Sequence, residues 1–245
     1  ESGAREIALI ARSANRLRLQ LEREQDLRRQ WVHDIAHDLR TPVAALRAQF
    51  EGMRDGVLEV SPQRLEKNLR EIDRVQELVT DLAELLRLES PEMRPSLARV
   101  EARAMVEELR ERFEHALQAK AIRFRADVEP VSFRADPALV QRAASNFLSN
   151  AVRHCPQGGR IEVSVSPAGG GVALRVFNSG EPIPEQDLAR VFDRLFRGDY
   201  ARHSPGSGLG LTIARRIAQL HGGEVALANR GDGVEVELRL PQSAV

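Results

Sequence analysis

The chain has 245 residues, and 36 lysine and arginine residues balance 36 aspartate and glutamate residues. A net charge near zero excludes the broad basic surface that non-specific nucleic-acid binding requires, so we expect no nucleic-acid partner. The length favours about two domains. The single Cys155 excludes an internal disulfide, which is typical of a reducing compartment.

The first part of the chain has the periodicity of amphipathic helices. Apolar residues recur every three or four positions in residues 1–30 and again from Val32 to Met53, which predicts a coiled-coil lead-in and a long helix. Asp55-Gly56 ends that helix. Ser61 is a candidate N-cap, Pro62 suits the first helical position, and the apolar stripe continues to Leu86.

These two long helices predict an antiparallel hairpin. A lone helical hairpin has too small a core to offset its ordering entropy, so we predict a homodimer in which two hairpins form a four-helix bundle. Ser90-Pro91, with Pro95 close behind, marks the end of the hairpin and a linker.

From Val100 onward helical and strand patterns alternate, which predicts an α/β sandwich with helices on one face of a mixed sheet. A segment rich in glycine, proline and charge interrupts the pattern at 179–207, and its length favours a functional lid. The predicted helices are 101–119, 137–153 and a segment ending near Leu220, and the predicted strands are 121–128, 160–166, 172–178, 223–229 and 233–240.

The segment from His37 to Pro42 carries the first chemical signal. His37 lies two residues from both Ile35 and Leu39, about 200° around the helix from each, so it faces away from the apolar stripe. A neutral imidazole can attack a phosphoryl group when an acceptor takes the proton of its other nitrogen, and Asp38 is the nearest candidate. The segment resembles the H-box of histidine kinases.

Two alternatives exist for this histidine. On its own, His37 is compatible with a solvated surface residue. With His33 it also approaches the His-Glu-x-x-His pattern of zinc proteases, but Asp34 replaces the glutamate and the hairpin offers no distinct third ligand.

Residues Asn146–His154 resemble the N-box of the same kinases and of the GHKL ATPases. The resemblance implies that Asn150 binds Mg²⁺ through its neutral oxygen and that Asn146, on the same helix face, orients water or phosphate oxygens. It also implies that Arg153 reaches the phosphates and that His154 contacts the nucleotide.

The segment from Asn178 to Pro184, with Gly180 and Ile183, resembles the adenine-binding motif Asp-x-Gly-x-Gly, from which it departs twice. Asn178 keeps the acceptor oxygen of the family aspartate but loses its charge, which should weaken adenine recognition by about 1 kcal/mol. Pro182 replaces the second glycine and stiffens the start of the lid.

The lid is framed by two further motifs. Phe192–Arg197 resembles the F-box, and residues 206–211 resemble the G2-box. Glycines let the backbone approach phosphates, and the helix that follows offers free N–H groups. The candidate nucleotide-binding residues of these two motifs are Phe196, Arg197, Gly206, Gly208, Leu209 and Gly210.

Together the motifs resemble the cytoplasmic portion of bacterial sensor histidine kinases. The resemblance implies an ATP- and Mg²⁺-dependent kinase that phosphorylates His37 and passes the phosphate to the receiver domain of a response regulator, and a phosphatase in which Asp38 and Thr41 orient water. Transfer within a subunit and between subunits both remain open. A scaffold that binds nucleotide without catalysis is the alternative, because of the two departures in the adenine motif.

The same resemblance implies a domain organisation. Residues 4–22 resemble the last helix of a HAMP domain, so we expect contact with a membrane only through a missing N-terminal segment. The predicted domains are a HAMP-like lead-in at 1–24, a dimerisation and phosphotransfer hairpin at 25–90, a linker at 91–99, and an ATP-binding domain at 100–245.

Overall fold

The computed structural model describes residues 15, 18, 36, 39–193, 196 and 207–241. The chain divides into two compact units, residues 1–75 and residues 76–245. Within the described residues, no helix is both long enough and apolar enough to cross a membrane.

The first unit contains two helices joined by a short turn. Residues 39–54 form helix α1, and helix α2 runs from Pro62 to Glu89, so that its second half belongs to the second unit. Gly56 takes a positive φ of 71° in the turn between them. The predicted helical hairpin is confirmed, and residues 32–35, 37 and 38 of its first helix lie outside the described residues.

Local side-chain contacts explain where α2 begins. The Ser61 hydroxyl accepts a hydrogen bond from the Arg64 backbone N–H at 3.3 Å, as expected of an N-cap. The Arg64 guanidinium also donates to Gln49 Oε1 of α1 at 2.9 Å. One residue thereby helps to start the second helix and binds it to the first.

Within the described residues, the second unit has seven strands and, after α2, four helical segments. The helices are α3 (Ala102–Ala119), α4 (Pro137–His154), the single turn α5 (Glu185–Leu188) and α6 (Gly210–Leu220). The strands are β1 (Ala98–Glu101), β2 (Arg123–Val128), β3 (Ser132–Ala135), β4 (Arg160–Ala168), β5 (Gly171–Ser179), β6 (Glu224–Arg230) and β7 (Gly233–Pro241).

Five of these strands form one mixed sheet in the order β2-β4-β5-β7-β6. Strands β2 and β4 are parallel, and the other neighbours are antiparallel. Alternate residues of β4, namely Ile161, Val163 and Val165, are buried, as expected of a strand with one face toward a core. The predicted α/β sandwich with a mixed sheet is confirmed.

The sequence did not predict β1 and β3, which form a separate two-stranded antiparallel ribbon. Each strand has four residues, and their pairing brings Val100 opposite Phe133, far apart in the chain. Such short segments show too few alternations for a periodicity to be recognised. The turn α5, inside the predicted loop 179–207, was also not predicted.

Helix α4 lies at the centre of the second unit. Its N-cap is Asp136, whose carboxylate accepts from the Leu139 N–H at 3.1 Å, and Pro137 follows at the first helical position. Phe147 and Leu148 of α4 and Ile213 and Ile217 of α6 are fully buried. The core therefore fixes α4 and α6 side by side and leaves the other face of α4 available for a site.

Candidate functional site

A cavity of about 800 Å³ opens within the second unit. It is lined by the second half of α2, the last turns of α4, the end of β5, the N-terminal end of α6 and strands β6 and β7. This volume lies in the range of small-molecule and cofactor sites, and the lining mixes apolar walls with a few polar groups. The cavity is therefore the candidate functional site.

Asn146 joins the two helices that border the cavity. Its side-chain Nδ2 donates to the Gly210 carbonyl oxygen at 3.0 Å, and the residue is only 8% exposed. Gly210 is the first residue of α6. A single amide thus sets the position of the α6 N-terminus relative to α4.

Asn150 and Arg153 lie one turn apart on the same helix. Arg153 Nη1 donates to Asn150 Oδ1 at 3.2 Å, so the guanidinium fixes the amide with its oxygen toward the cation. Burial lowers the pKa of the Arg153 guanidinium below its ordinary value, and the negative charges of Glu77 and Asp81 oppose that change. A partly buried cation of this kind favours an anionic ligand.

The end of β5 forms the opposite wall of the cavity. Asn178 is 8% exposed and its Nδ2 donates to the Ser179 carbonyl oxygen at 3.2 Å, so Oδ1 remains the acceptor of this side chain. Gly180 follows with a φ of 151°, and a Cβ there would lie 2.8 Å from the His154 carbonyl oxygen. Only glycine allows the chain to pass this close to the end of α4.

The N-terminal end of α6 supplies backbone N–H groups to the cavity. Gly208 has a positive φ of 74°, and the Ser207 hydroxyl accepts from the Leu209 N–H at 3.2 Å. Helix α6 has no acidic residue in its first turn. The free N–H groups and the positive end of the helix dipole favour an anion at this point.

Two carboxylates of α2, Glu77 and Asp81, also line the cavity, and the sequence did not predict them as site residues. They occupy positions of a helix in which charged residues normally face solvent, so the sequence carries no local signal for them. Asp232 and Ser207, neither of which was predicted as a site residue, line the cavity as well.

Two family matches cover both units. Residues 27–91 match the family described as the His Kinase A (phospho-acceptor) domain. Residues 135–244 match the family described as histidine kinase-, DNA gyrase B-, and HSP90-like ATPase. The chain belongs to the sensor histidine kinase family. The second unit is accordingly an ATP-binding domain of the GHKL type.

Curated relatives support the same assignment. The chain is 32% identical over 227 residues to the sensor protein SphS of Synechococcus elongatus. This alignment covers 88% of this chain and 55% of SphS. The chain is 28% identical over 240 residues to the signal transduction histidine-protein kinase BaeS of Escherichia coli, covering 96% and 51%. The chain spans about half the length of these relatives.

Solved structures share the fold. The histidine kinase ThkA in complex with the response regulator protein TrrA gives a TM-score of 0.75 at 22% identity, over 87% of this chain and 61% of that one. Full-length ShkA in complex with AMPPNP gives a TM-score of 0.64 at 23% identity, over 87% and 46%. These likenesses establish the architecture of the kinase, a helical region followed by an α/β domain.

The structure brings most of the predicted nucleotide-binding residues of the kinase together. Ten of them line the one cavity: Asn146, Asn150, Arg153, His154, Asn178, Gly180, Ile183, Phe196, Gly208 and Gly210. Leu209 is fully buried and is not among the residues that line the cavity. Arg197 and Gly206 lie outside the described residues.

The predicted phosphoryl-acceptor motif falls largely outside the described part of the kinase. His37 and Asp38, together with His33 of the zinc alternative, lie outside the described residues. Thr41 is an exposed residue of α1 in the first unit. Within the described residues, no group of three or more histidine, cysteine, aspartate and glutamate side chains could hold a metal ion.

Proposed function

We propose that this chain binds ATP in the cavity of its second unit, transfers the γ-phosphoryl group to His37, and donates it to an aspartate of a response-regulator receiver domain. The observation that carries the proposal is the hydrogen bond from Asn146 to the Gly210 carbonyl oxygen, because it joins the N-box and the G2-box at one cavity. Motifs that are distant in sequence thereby contribute to one nucleotide site.

The two ends of the cavity suit the two ends of the nucleotide. At the end of β5, Asn178 offers Oδ1 to the amino group of adenine, and Gly180 and Ile183 line the space beside it. At the α6 end, Arg153 and the backbone of Gly208 and Gly210 suit phosphate oxygens. His154 and Phe196 also line the cavity, and we propose that Arg197 and Gly206 of the lid motifs contact the nucleotide, whereas the buried Leu209 supports the N-terminal end of α6.

Mg²⁺ fits this donor set as an ion carried by the phosphates. Asn150 Oδ1 accepts one hydrogen bond from Arg153 and keeps a second lone pair for the ion. Mg²⁺ commonly takes only one or two protein ligands and keeps phosphate and water oxygens for the rest. The ion would neutralise phosphate charge, and the protein residues orient the nucleotide.

The phosphoryl transfer itself requires little covalent help from the protein. One ring nitrogen of His37 forms a bond to the γ-phosphorus while the bond from phosphorus to the bridging oxygen breaks, and ADP leaves with that electron pair. The proton of the other ring nitrogen passes to Asp38. In the proposed phosphatase activity, Asp38 and Thr41 orient a water molecule that hydrolyses the phosphate of the regulator.

A response regulator and a second copy of the chain are the proposed partners. The ThkA structure contains a response regulator bound to a kinase of the same fold, which supports a regulator as the acceptor. Val43 and Phe50 of α1 and Leu65 and Leu69 of α2 are exposed in the single chain. Covering this apolar surface in a four-helix bundle of two subunits would stabilise the hairpin.

The domain organisation is part of the same proposal. We propose a phosphotransfer hairpin at 25–90, a linker at 91–99 and a catalytic domain at 100–245, preceded by a HAMP-like helix at 1–24. The HAMP-like helix would connect the chain to a membrane segment of a longer protein, on its cytoplasmic side. Residues 1–14 lie outside the described residues, so this part rests on the sequence.

The test is incubation of the chain with Mg²⁺ and γ-labelled ATP, followed by assay for a phosphate that is labile in acid and stable in alkali. The parent should become labelled and His37→Gln should not. His33→Gln is the matched control, because it replaces the other histidine of the same segment, and it should keep the label. ATP binding without label in the parent would favour the non-catalytic scaffold instead.

A further inference from the structure

Helix α2 delivers negative charge to the proposed nucleotide cavity. Glu77 and Asp81, one turn apart on α2, both line it together with Asn150 and Arg153. Asp81 is only 6% exposed, whereas carboxylates are normally almost fully solvated. Buried charge of this kind has to be compensated by partners.

The partners of Asp81 lie at the N-terminal end of α6. Its Oδ2 accepts a hydrogen bond from the Ser207 hydroxyl at 2.5 Å, and the same hydroxyl accepts from the Leu209 N–H at 3.2 Å. The Asp81 carboxylate therefore provides the negative charge at the end of a helix that favours an anion. This is also the end of the cavity to which the phosphates of a nucleotide are assigned above.

A second set of contacts holds the carboxylate there. Arg142 of α4 donates to Asp81 Oδ1 through Nη2 and to Glu84 Oε2 through Nε at 2.6 Å. The charges of Glu77 and Asp81 also act on Arg153, because both favour its protonated form. The carboxylates of α2 thus lie beside Arg153 and the N-terminal end of α6, which would otherwise face phosphate.

We propose that Asp81, assisted by Glu77, is a specificity-determining residue of the nucleotide site, an internal anion that competes with the nucleotide's phosphates at the N-terminus of α6. Each further phosphate brings more negative charge toward these carboxylates, so Asp81 lowers the affinity for ATP more than that for ADP, and the affinity for ADP more than that for adenosine. Binding of the triphosphate separates Asp81 from Ser207 and thereby loosens α2 from the catalytic domain. The inference rests on the proposed nucleotide site.

The experiment compares the parent with Asp81→Asn. Calorimetry measures the binding of ATP, ADP and adenosine to each protein, with a chelator present to remove divalent cations. Asparagine keeps the size of the side chain and can still hydrogen-bond Ser207, but it removes the charge. We expect ATP to bind about tenfold more tightly to the variant, within the usual range of coupling between sites, ADP to gain less, and adenosine to be unchanged.

Glu84→Gln is the matched control. Glu84 is the other carboxylate paired with Arg142, but it is not among the described residues that line the cavity. Its replacement disturbs the same ion-pair network without changing the charge in the site, so the ratio of ATP to adenosine affinity should stay that of the parent. An equal gain in this control would overturn the role of Asp81, because the effect would come from α2 docking alone.

Glu77→Gln provides a second test if Asp81→Asn does not fold. It removes a charge that lines the cavity, and we expect the same order of effects, ATP before ADP before adenosine. Unchanged or weaker ATP binding in a folded variant that still binds adenosine would overturn the inference and leave the nucleotide site standing. A parent that binds none of the three compounds would instead overturn the nucleotide site, and this inference with it.

Discussion

Asn229 and Ile183 exchange two hydrogen bonds. The Ile183 backbone N–H donates to Asn229 Oδ1 at 2.8 Å, and Asn229 Nδ2 donates to the Ile183 carbonyl oxygen, also at 2.8 Å. Ile183 lies between Pro182 and Pro184, which have no N–H, so its own N–H is the one backbone donor of the three residues. Asn229 therefore fixes the first part of the segment predicted as a lid to strand β6.

This contact leads to a first prediction about the adenine end of the cavity. Asn229→Ala should lower the affinities for adenosine and for ATP by the same factor, about tenfold. The reason is that two hydrogen bonds, of about 0.5–1.5 kcal/mol each, position Ile183 in the cavity wall. Asn229→Asp should lower both affinities as well, since a carboxylate accepts from the N–H but repels the Ile183 carbonyl oxygen. Calorimetry with both ligands measures the ratio.

The control for that prediction is Arg230→Gln. Arg230 is the next residue on β6, with an exposed side chain paired to Glu235. Arg230→Gln should leave the affinities for adenosine and ATP unchanged. If Asn229→Ala weakened the binding of ATP but not that of adenosine, this result would contradict a role of Asn229 at the adenine end of the cavity.

The sequence predicted the elements of the second unit because their patterns are local. The predicted helix at 137–153 and the predicted strands at 160–166 and 172–178 each depend on neighbouring residues, and the structure contains all three as α4, β4 and β5. The short strands β1 and β3 depend on pairing with a distant segment and were missed. Local chemistry therefore accounts for most of the fold.

The cavity shows the same division between local and long-range information. Motif residues such as Asn146 and Gly210 could be assigned because the short motifs around them resemble those of a known family. Asp81 meets Ser207 across 126 positions and Ile183 meets Asn229 across 46. No periodicity or cap relates such pairs, so only the folded chain brings them together.

A second prediction concerns the C-terminal end of α4. Lys120 Nζ donates to the carbonyl oxygens of Val152, Arg153 and Cys155 at 2.8, 3.0 and 3.1 Å. The last carbonyls of a helix have no partner within it, and a cation there also suits the helix dipole. Lys120→Met should lower the free energy of unfolding by about 1–3 kcal/mol, measured by urea titration.

Lys120→Arg separates the charge from the geometry. It keeps a cation near the same carbonyls, so it should recover part of the stability. Because Arg153 belongs to the capped turn, Lys120→Met should also weaken ATP binding at temperatures where the variant is folded. Full stability of Lys120→Met would mean that water satisfies these carbonyls equally well.

A third prediction concerns Gly180, where backbone conformation and close approach coincide. Its φ is 151°, and a Cβ would lie 2.8 Å from the His154 carbonyl oxygen. Gly180→Ala should therefore cost about 1–3 kcal/mol of strain and displace the end of α4 from the cavity, with loss of nucleotide affinity. Chemical denaturation and ATP titration together measure the two effects.

Gly158→Ala is the matched control for the glycine substitution. Gly158 also has a positive φ, of 71°, but a Cβ there would meet nothing within 4 Å. The cost should be that of a left-handed alanine alone, about 1–2 kcal/mol, with unchanged ATP affinity. If both variants lost affinity equally, the contact with His154 would not be the cause.

The last prediction concerns the ion pair between Arg160 and Asp232, beside the cavity. Arg160 donates to both carboxylate oxygens, at 2.6 and 2.8 Å, and the Asp232 carbonyl oxygen accepts from the Gly180 N–H at 2.9 Å. The hydrogen bonds from Arg160 hold the pKa of Asp232 below its ordinary value. Because the folded pKa is depressed, the stabilisation is present above the ordinary pKa and is lost as pH falls through the folded pKa.

Arg160→Gln should raise the pKa of Asp232 toward its ordinary value, measured by following the carboxyl carbon through an NMR titration. High salt should raise the pKa of Asp232 in the parent as well, because salt screens the exposed ion pair. Arg230 lies on the same hairpin as Asp232 but pairs with Glu235, so Arg230→Gln should leave the Asp232 titration unchanged. An unchanged pKa in Arg160→Gln would assign the depression to backbone donors near Asp232 instead of the guanidinium.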